Sequence, residues 1–238
     1  MGWARRLNAT GAFSILASVL SLACGSPSDV DPTGEPLEPL LPPLVDVPPS
    51  ADGRLQRAVL AGGCFWSMEA VFTAVDGVVD VVSGYVGGTA ETATYDLVAW
   101  QGTTDHAEAV EVTFDPGVVS FGQLLQVFFS AAHDPTQVDQ QSPDVGREYR
   151  SDVFYVDEAQ RNVTRAYIDQ LDASGLLAKP IATRLDPLVE FFWAEEEHQD
   201  FVLKNPNDFY VLLYSVPKLL KLGAMFPDLY RRPWGVAY

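Results

Sequence analysis

The short apolar run Ala58-Val59-Leu60-Ala61 breaks on Gly62-Gly63, and the next residue is Cys64, at the head of Phe65-Trp66-Ser67-Met68-Glu69. A run of strand length that turns through two glycines into a segment with helical spacing is a strand-to-helix junction, and it places the thiol at a helix N-terminus. There the unpaired backbone N–H groups and the positive end of the helix dipole favour thiolate over thiol. That is the position of a nucleophile. The alternative is a small buried cysteine packing as an apolar residue, and the junction alone leaves both readings open.

The 238-residue chain holds only two cysteines, Cys24 and Cys64. Cys24 closes an export-type segment in which Arg5 and Arg6 precede an uncharged, mostly apolar run over 9–22. That run is shorter than the roughly 20 residues needed to cross a bilayer, so residues 1–23 read as a signal peptide. Its end, Ser21-Leu22-Ala23-Cys24-Gly25, resembles a bacterial lipoprotein signal, although Ser21 stands where such signals usually carry Leu. The resemblance implies cleavage before Cys24, lipidation of that residue and attachment to a membrane of the bacterial cell envelope, with the domain facing the periplasm or the exterior. Ordinary cleavage near Ala23 is the alternative. With Cys24 so placed, neither a disulfide framework nor a four-ligand zinc site can be assembled, and three histidines without shared spacing point to no metal.

Removing residues 1–23 takes two arginines and no acid from 15 Lys+Arg and 32 Asp+Glu, moving the formal charge from −17 to −19. Such a surface repels phosphate backbones and anionic headgroups, which argues against nucleic-acid partners and leaves lipid as the means of membrane attachment. Residues 25–52 are rich in Pro, carry acids and contain neither Lys nor Arg. Without an apolar face they read as an acidic, partly polyproline tether over 24–53, reaching roughly 85 Å if stretched at about 3 Å per residue. The Leu-rich stretch at 40–44 could instead dock on the domain.

Residues 54–238 suffice for one domain with a substantial core. The pattern predicts a strand at 57–61, a helix over 65–74 with Phe65, Met68, Val71, Phe72 and Val75 on one stripe, and a strand at 78–85. A loop over 86–104 follows, with Tyr95 and Trp100 as candidate site walls, then a strand at 107–114 and a helix to 132 capped by Ser120. Further on come a strand at 151–156, a helix over 157–174 stopped by Gly175, strands at 181–185 and 189–193, and a short helix over 195–203. The core order strand, helix, strand, strand, helix, strand predicts an α+β, ferredoxin-like split βαβ sandwich with one helical face.

Gly63-Cys64-Phe65-Trp66 with Glu69, Gly84-Tyr85-Val86-Gly87-Gly88, His106-Ala107-Glu108-Ala109-Val110 and Asp144-Val145-Gly146-Arg147-Glu148-Tyr149-Arg150-Ser151 occur in that order. Ala194-Glu195, His198-Gln199 and Lys204-Asn205-Pro206 extend the series. Together they resemble the A-type peptide methionine sulfoxide reductases over 57–230. The resemblance implies thiol-dependent reduction of methionine S-sulfoxide, free or in peptides and proteins, with no bound cofactor.

That reaction requires a soft nucleophile at the sulfoxide sulfur and an acid for its oxygen. Cys64 supplies the first. The resemblance assigns the acid to Glu108, which serves if its carboxyl turns inward and is desolvated; the alternative is a solvent-facing Glu108 beside Glu111. By the same resemblance Tyr95 and Tyr149 hydrogen-bond the sulfoxide oxygen, Asp144 orients the site, and Phe65 and Trp66 receive the substrate methyl. Glu69 and His198 complete the matched binding residues. Glu69 points away from the thiol on its helix and reads as a partner of a tyrosine or of the C-terminal segment, while His198 has an equally good solvated reading in its acidic run. His133 reads as structural.

Many relatives resolve the oxidised cysteine with a second cysteine near the C-terminus or just after the Phe-Trp pair. Here Ser67 occupies the latter place and no cysteine follows Cys64. The expectation is a one-cysteine cycle in which an external thiol, either a thioredoxin-like protein or a small molecule, reduces a Cys64 sulfenic acid. Asp105 also stands before His106 where many relatives carry Gly. Two other function classes fit a tethered domain with a lone cysteine: a module that binds oxidised or Met-rich peptides, and a thiol peroxidase.

Overall fold

The computed structural model describes residues 37–48 and 53–231; the signal segment 1–23, Cys24 and the rest of the tether lie outside the described residues. The β-branched and apolar run before Cys64 forms β1 (Gln56–Gly62), and the helix after it is α1 (Phe65–Thr73). The chain continues through β2 (Val78–Val86), β3 (Ala107–Phe114), α2 (Phe121–Val127), two short strands β4 (Gln140–Gln141) and β5 (Asp144–Val145), β6 (Ser151–Tyr155) and α3 (Glu158–Ser174). It ends with β7 (Arg184–Pro187), β8 (Phe191–Trp193), α4 (Phe201–Lys204) and α5 (Val216–Met225).

Six strands form one mixed sheet in the order β7-β6-β1-β3-β2-β8, with only the β6–β7 pair parallel. Together with the helices this is a mixed α+β single domain. Strand periodicity divides β3 between two faces. Val110, Val112 and Phe114 join the main core under the helices, whereas Ala107 and Ala109 join a smaller cluster with Val59, Phe154, Leu188 and Phe191. Complete burial of a residue such as Phe72 or Leu124 contributes about 2–3 kcal/mol each.

The helix punctuation follows from local chemistry. Ser120 accepts from the Gln123 N–H and the Gln123 side chain answers the Ser120 N–H, a complete capping box. Asp157 accepts from the Gln160 N–H, and Gly175, at φ +68°, ends α3 in the left-handed region. At α1 the apolar stripe understates burial, because Ser67 and Glu69 are also buried. α4 and α5 cover the side that sequence periodicity leaves to solvent.

Three expectations change. Ile181 and Ala182, expected in a strand, give their N–H groups to Asp172 Oδ1 (2.9 Å) and the Pro135 carbonyl (2.7 Å), so pairing with β6 starts only at Arg184. The helix expected over 195–203 divides into a 3₁₀ turn at Glu196–His198 and α4, separated at Asp200, whose φ is +54°. The described part of the tether, 37–48, lies on the domain, as the docking alternative for 40–44 requires. Leu40 and Val47 pack on the main core, and the carbonyls of Leu40, Leu41 and Pro42 accept from Gln126, Tyr167 and Gln170. Asp46 accepts from the Ser120 hydroxyl and the Gly122 N–H at the start of α2.

Candidate active site

Gly63 makes the turn into α1 at φ +95°, and a β-carbon there would lie 2.6 Å from Gln141 Cβ, so only glycine fits. The turn seats Cys64 as the N-cap of α1, with 8% of its surface exposed. The Cys64 carbonyl accepts from the Ser67 and Met68 N–H groups. The helix start does not make the resting sulfur a thiolate, as the junction suggested. Burial pushes the thiol well above its ordinary value and the Glu108 charge adds to the rise, while the Tyr210 hydroxyl and the Trp66 N–H oppose it.

Glu108 turns inward, on the same face of β3 as Val110 and Val112, and is 1% exposed. One carboxyl oxygen accepts from the Phe65 N–H at 2.9 Å. Burial raises its pKa to about 8, with the Asp144 and Glu148 charges adding and the Phe65 N–H opposing. At neutral pH it is therefore a carboxylic acid beside the thiol. Glu111, with which the alternative grouped it, instead pairs with Arg57 at 3.0 Å.

Tyr95 donates its N–H to Glu195 (2.9 Å) and stacks on the His198 ring at 4.0 Å. The Tyr85 hydroxyl donates to the other Glu195 oxygen at 2.8 Å. Tyr149 is half-buried; its hydroxyl is held protonated first by burial and then by the charges of Glu108 and Asp144. Asp144 accepts from the Tyr210 hydroxyl at 2.5 Å, and that hydroxyl also hydrogen-bonds the Cys64 sulfur. Cys64, Glu108, Tyr95, Tyr149 and Asp144 thus converge, although they come from four separate stretches of chain. Two participants were missed. Tyr210 and the nearby Lys218 follow the last recognised motif by 4 and 12 residues, and the only local signal was the Val216, Leu219, Leu222 spacing of α5.

The aromatic wall differs from expectation in its division of labour. Phe65 is wholly buried, packing on Tyr85 at 5.8 Å and Tyr95 at 6.2 Å, and forms the floor. Trp66 remains partly accessible, stacks on Phe201 at 3.7 Å and donates its indole N–H to His198 Nδ1 at 3.3 Å. His198 is buried rather than solvated, and burial lowers its pKa, leaving a neutral acceptor. Gln199 fixes this segment by bonding both the N–H and the carbonyl of Ser83. Glu69 is not at the substrate surface: its carboxyl holds the backbone N–H groups of Asp200 and Phe201, and so supports the ring under Trp66. Trp100 is 79% exposed and walls nothing.

His133 is structural, bonded to the Phe128 carbonyl and the Ser151 hydroxyl and lowered by burial to about 3. Among the described residues no cluster of three His, Cys, Asp or Glu side chains is arranged to hold a metal ion.

This site stands on a chain whose residues 56–225 match the family profile of peptide methionine sulfoxide reductases. Peptide methionine sulfoxide reductase MsrA 2 of Synechocystis sp. is 48% identical over 196 residues, covering 81% of this chain and 91% of that protein. The MsrA of Natronomonas pharaonis is 48% identical over 171 residues, covering 72% and 95%. Among solved structures, reduced Mxr1 from Saccharomyces cerevisiae superposes with a TM-score of 0.60 at 31% identity, covering 68% of this chain and 91% of that one. Methionine sulfoxide reductase A of Corynebacterium diphtheriae gives 0.56 at 30% identity, covering 76% and 92%. A thiol beside a protonated carboxyl in an aromatic recess, carried on this fold and at this level of identity, places the chain in the A-type peptide methionine sulfoxide reductase family, the peptide-methionine (S)-S-oxide reductases.

Proposed function

We propose that the protein reduces methionine S-sulfoxide in oxidised exported proteins through a Cys64 sulfenic acid. The observation that carries this reading is the pairing of Cys64 with a buried Glu108 whose pKa of about 8 keeps it protonated at neutral pH. The sulfoxide methyl rests against Trp66 above Phe65, and Tyr95 and Tyr149 donate to the sulfoxide oxygen. As the Cys64 sulfur attacks the substrate sulfur, Glu108 passes its proton to the oxide. The hydroxyl then migrates to the Cys64 sulfur as the new sulfur–sulfur bond and the substrate sulfur–oxygen bond both break, methionine leaves, Cys64 is left as sulfenic acid, and the proton originally on the thiol restores Glu108. Cys64 is oxidised by two electrons and the sulfoxide reduced by two.

No cysteine follows Cys64, which supports a one-cysteine cycle. Two equivalents of an external thiol, or one thioredoxin-like dithiol, return the sulfenic acid to thiol with release of water. The export-type segment and Cys24 support a lipid-anchored enzyme of the bacterial cell envelope. The antiparallel order β6-β1-β3-β2, with a helix crossing from β1 to β2, supports describing the core as ferredoxin-like.

The test is single-turnover reduction of separate S- and R-epimers of a methionine sulfoxide peptide by the chain lacking residues 1–24, with dithiothreitol and a Cys64→Ser control. Loss of the S-epimer alone, dependent on Cys64, is the expected result. A folded protein that yields no methionine from either epimer overturns the reading in favour of a peptide-binding module, and preferential turnover of peroxide favours a thiol peroxidase. An intramolecular Cys24–Cys64 disulfide in the oxidised longer chain would sink the one-cysteine cycle.

A further inference from the structure

The C-terminal segment brings no second thiol to the site, and the chemistry it does bring is arranged by a local irregularity. Residues 209–225 run as one helix interrupted by a π turn at Val211–Ser215. In an uninterrupted α-helix Tyr210 and Lys218 would point about 80° apart; a π turn that absorbs one extra residue reduces this to about 20°. Tyr210 and Lys218 therefore share the face that meets the start of α1. The meeting point is marked by Ser215, one turn before Lys218, whose hydroxyl lies 2.8 Å from that of Ser67, one turn after Cys64.

Lys218 also lines, with His133 and Gln141, a cavity of about 490 Å³. Two of its lining side chains pack on the back of the Gly62-Gly63 turn: His133 Cγ lies 3.1 Å from where a Gly62 β-carbon would be, and Gln141 blocks the corresponding position at Gly63. The charged and titratable groups around the lysine are few. Cys64 and Asp144 face it, Lys221 follows it on α5, His133 is neutral, and Asp134 and Glu38 lie farther round the cavity wall. Burial draws the amine below its ordinary value, while Cys64 and Asp144 hold it up. Around Cys64 itself Glu108 is neutral at pH 7, and Tyr95, Tyr149 and Tyr210 keep their protons. Asp144 is then the charge that opposes a thiolate, and Lys218 is the cation placed to offset it.

We propose that Lys218 is the electrostatic partner of the Cys64 thiolate, a positioning residue that acts on the sulfur from α5 without touching substrate. It rests on the reading of Cys64 as the nucleophile. Its ammonium supplies what the helix start alone does not, lowering the cost of ionising a sulfur that is buried beside Asp144.

The experiment measures the pH dependence of Cys64 alkylation by iodoacetamide in the full chain, read by mass spectrometry of the Cys64 peptide so that Cys24 does not contribute. Wild type is compared with Lys218→Met, which keeps the side-chain length, Lys218→Arg, which keeps the charge, and Lys221→Met as a control on the same helix. The expected result is alkylation about tenfold slower in Lys218→Met at pH 7–9, well below the thiol's midpoint. Lys218→Arg restores the wild-type profile, and Lys221→Met moves it much less. Alkylation at pH 7–9 as fast in folded Lys218→Met as in wild type, or a Lys218→Arg variant as defective as Lys218→Met, overturns the proposal. Should Lys218→Met fail to fold, Lys218→Gln carries the same comparison. Alkylation requires no sulfoxide, so a shifted profile in an enzyme without reductase activity would refute the proposed function and leave the Lys218 assignment standing.

Discussion

Burial of Glu108 has two consequences that oppose each other. Its neighbours on the face of β3, Val110 and Val112, exclude water, which makes the carboxyl a proton donor at neutral pH and also makes its ionisation costly to the fold. A folded-state pKa raised to about 8 means that its contribution to stability is complete below about pH 4.5 and is lost as pH rises through 8. Glu108→Gln retains an oxygen for the Phe65 N–H and cannot ionise. Turnover should fall by about 10²–10⁴, while stability at pH 9 should exceed wild type by on the order of a few kcal/mol and match it at pH 4.5. Thermal melts at the two pH values check this, and a variant less stable than wild type at pH 9 would show that the charge is accommodated. At this scale the sequence was legible where a side chain has one available role, as at Cys64. It was ambiguous at Glu69 and His198, whose partners Phe201 and Tyr95 lie far away along the chain.

Among the elements, the docked strap 37–48 departs most from the sequence reading. Its composition is that of a solvated tether, yet Leu40 and Val47 find the main core and its carbonyls meet the side chains of Gln126, Tyr167 and Gln170. Asp46 accepts from the Ser120 hydroxyl and Gly122 N–H at the start of α2, where a negative charge is favoured. A chain starting at residue 53 should therefore melt roughly 5–10 °C below one starting at residue 37, from a loss of about 2–3 kcal/mol. Coincident melts would show that the strap contributes nothing to the fold. α2 and α3 were legible because their caps are local. β7 was not, because its limits depend on what β6 offers across the sheet.

For the whole molecule, several buried acids act in the same direction. Glu69 and Asp152 are both raised to about 7, chiefly by burial; Asp152 is raised despite Arg150 at 3.4 Å and Arg184 at 3.8 Å, because Asp186 adds its charge. With Glu108 they hold protons in the folded state that the unfolded chain has released. His106, His133 and His198 are all lowered by burial, so they oppose this trend only at more acidic pH, up to the ordinary histidine value near 6.5. Between pH 6.5 and 8 the histidines no longer oppose the carboxyls, and stability should decline as pH rises. A melting temperature that is flat or rising across that interval would contradict the burial of these groups. The excess of 32 acidic over 15 basic side chains adds self-repulsion in the same sense.

Sequence by itself determined the strand-to-helix junction at Cys64, the capped helices and, through ordered motifs, the family, because these depend on residue identity and short-range backbone chemistry. Tertiary structure alone decided that Glu108 faces inward and stays protonated, that burial rather than the helix dipole governs the resting thiol, and that Tyr210 reaches it from the turn before α5. Desolvation and charge pairing depend on which distant segments share a volume, and the packing of the folded chain sets that.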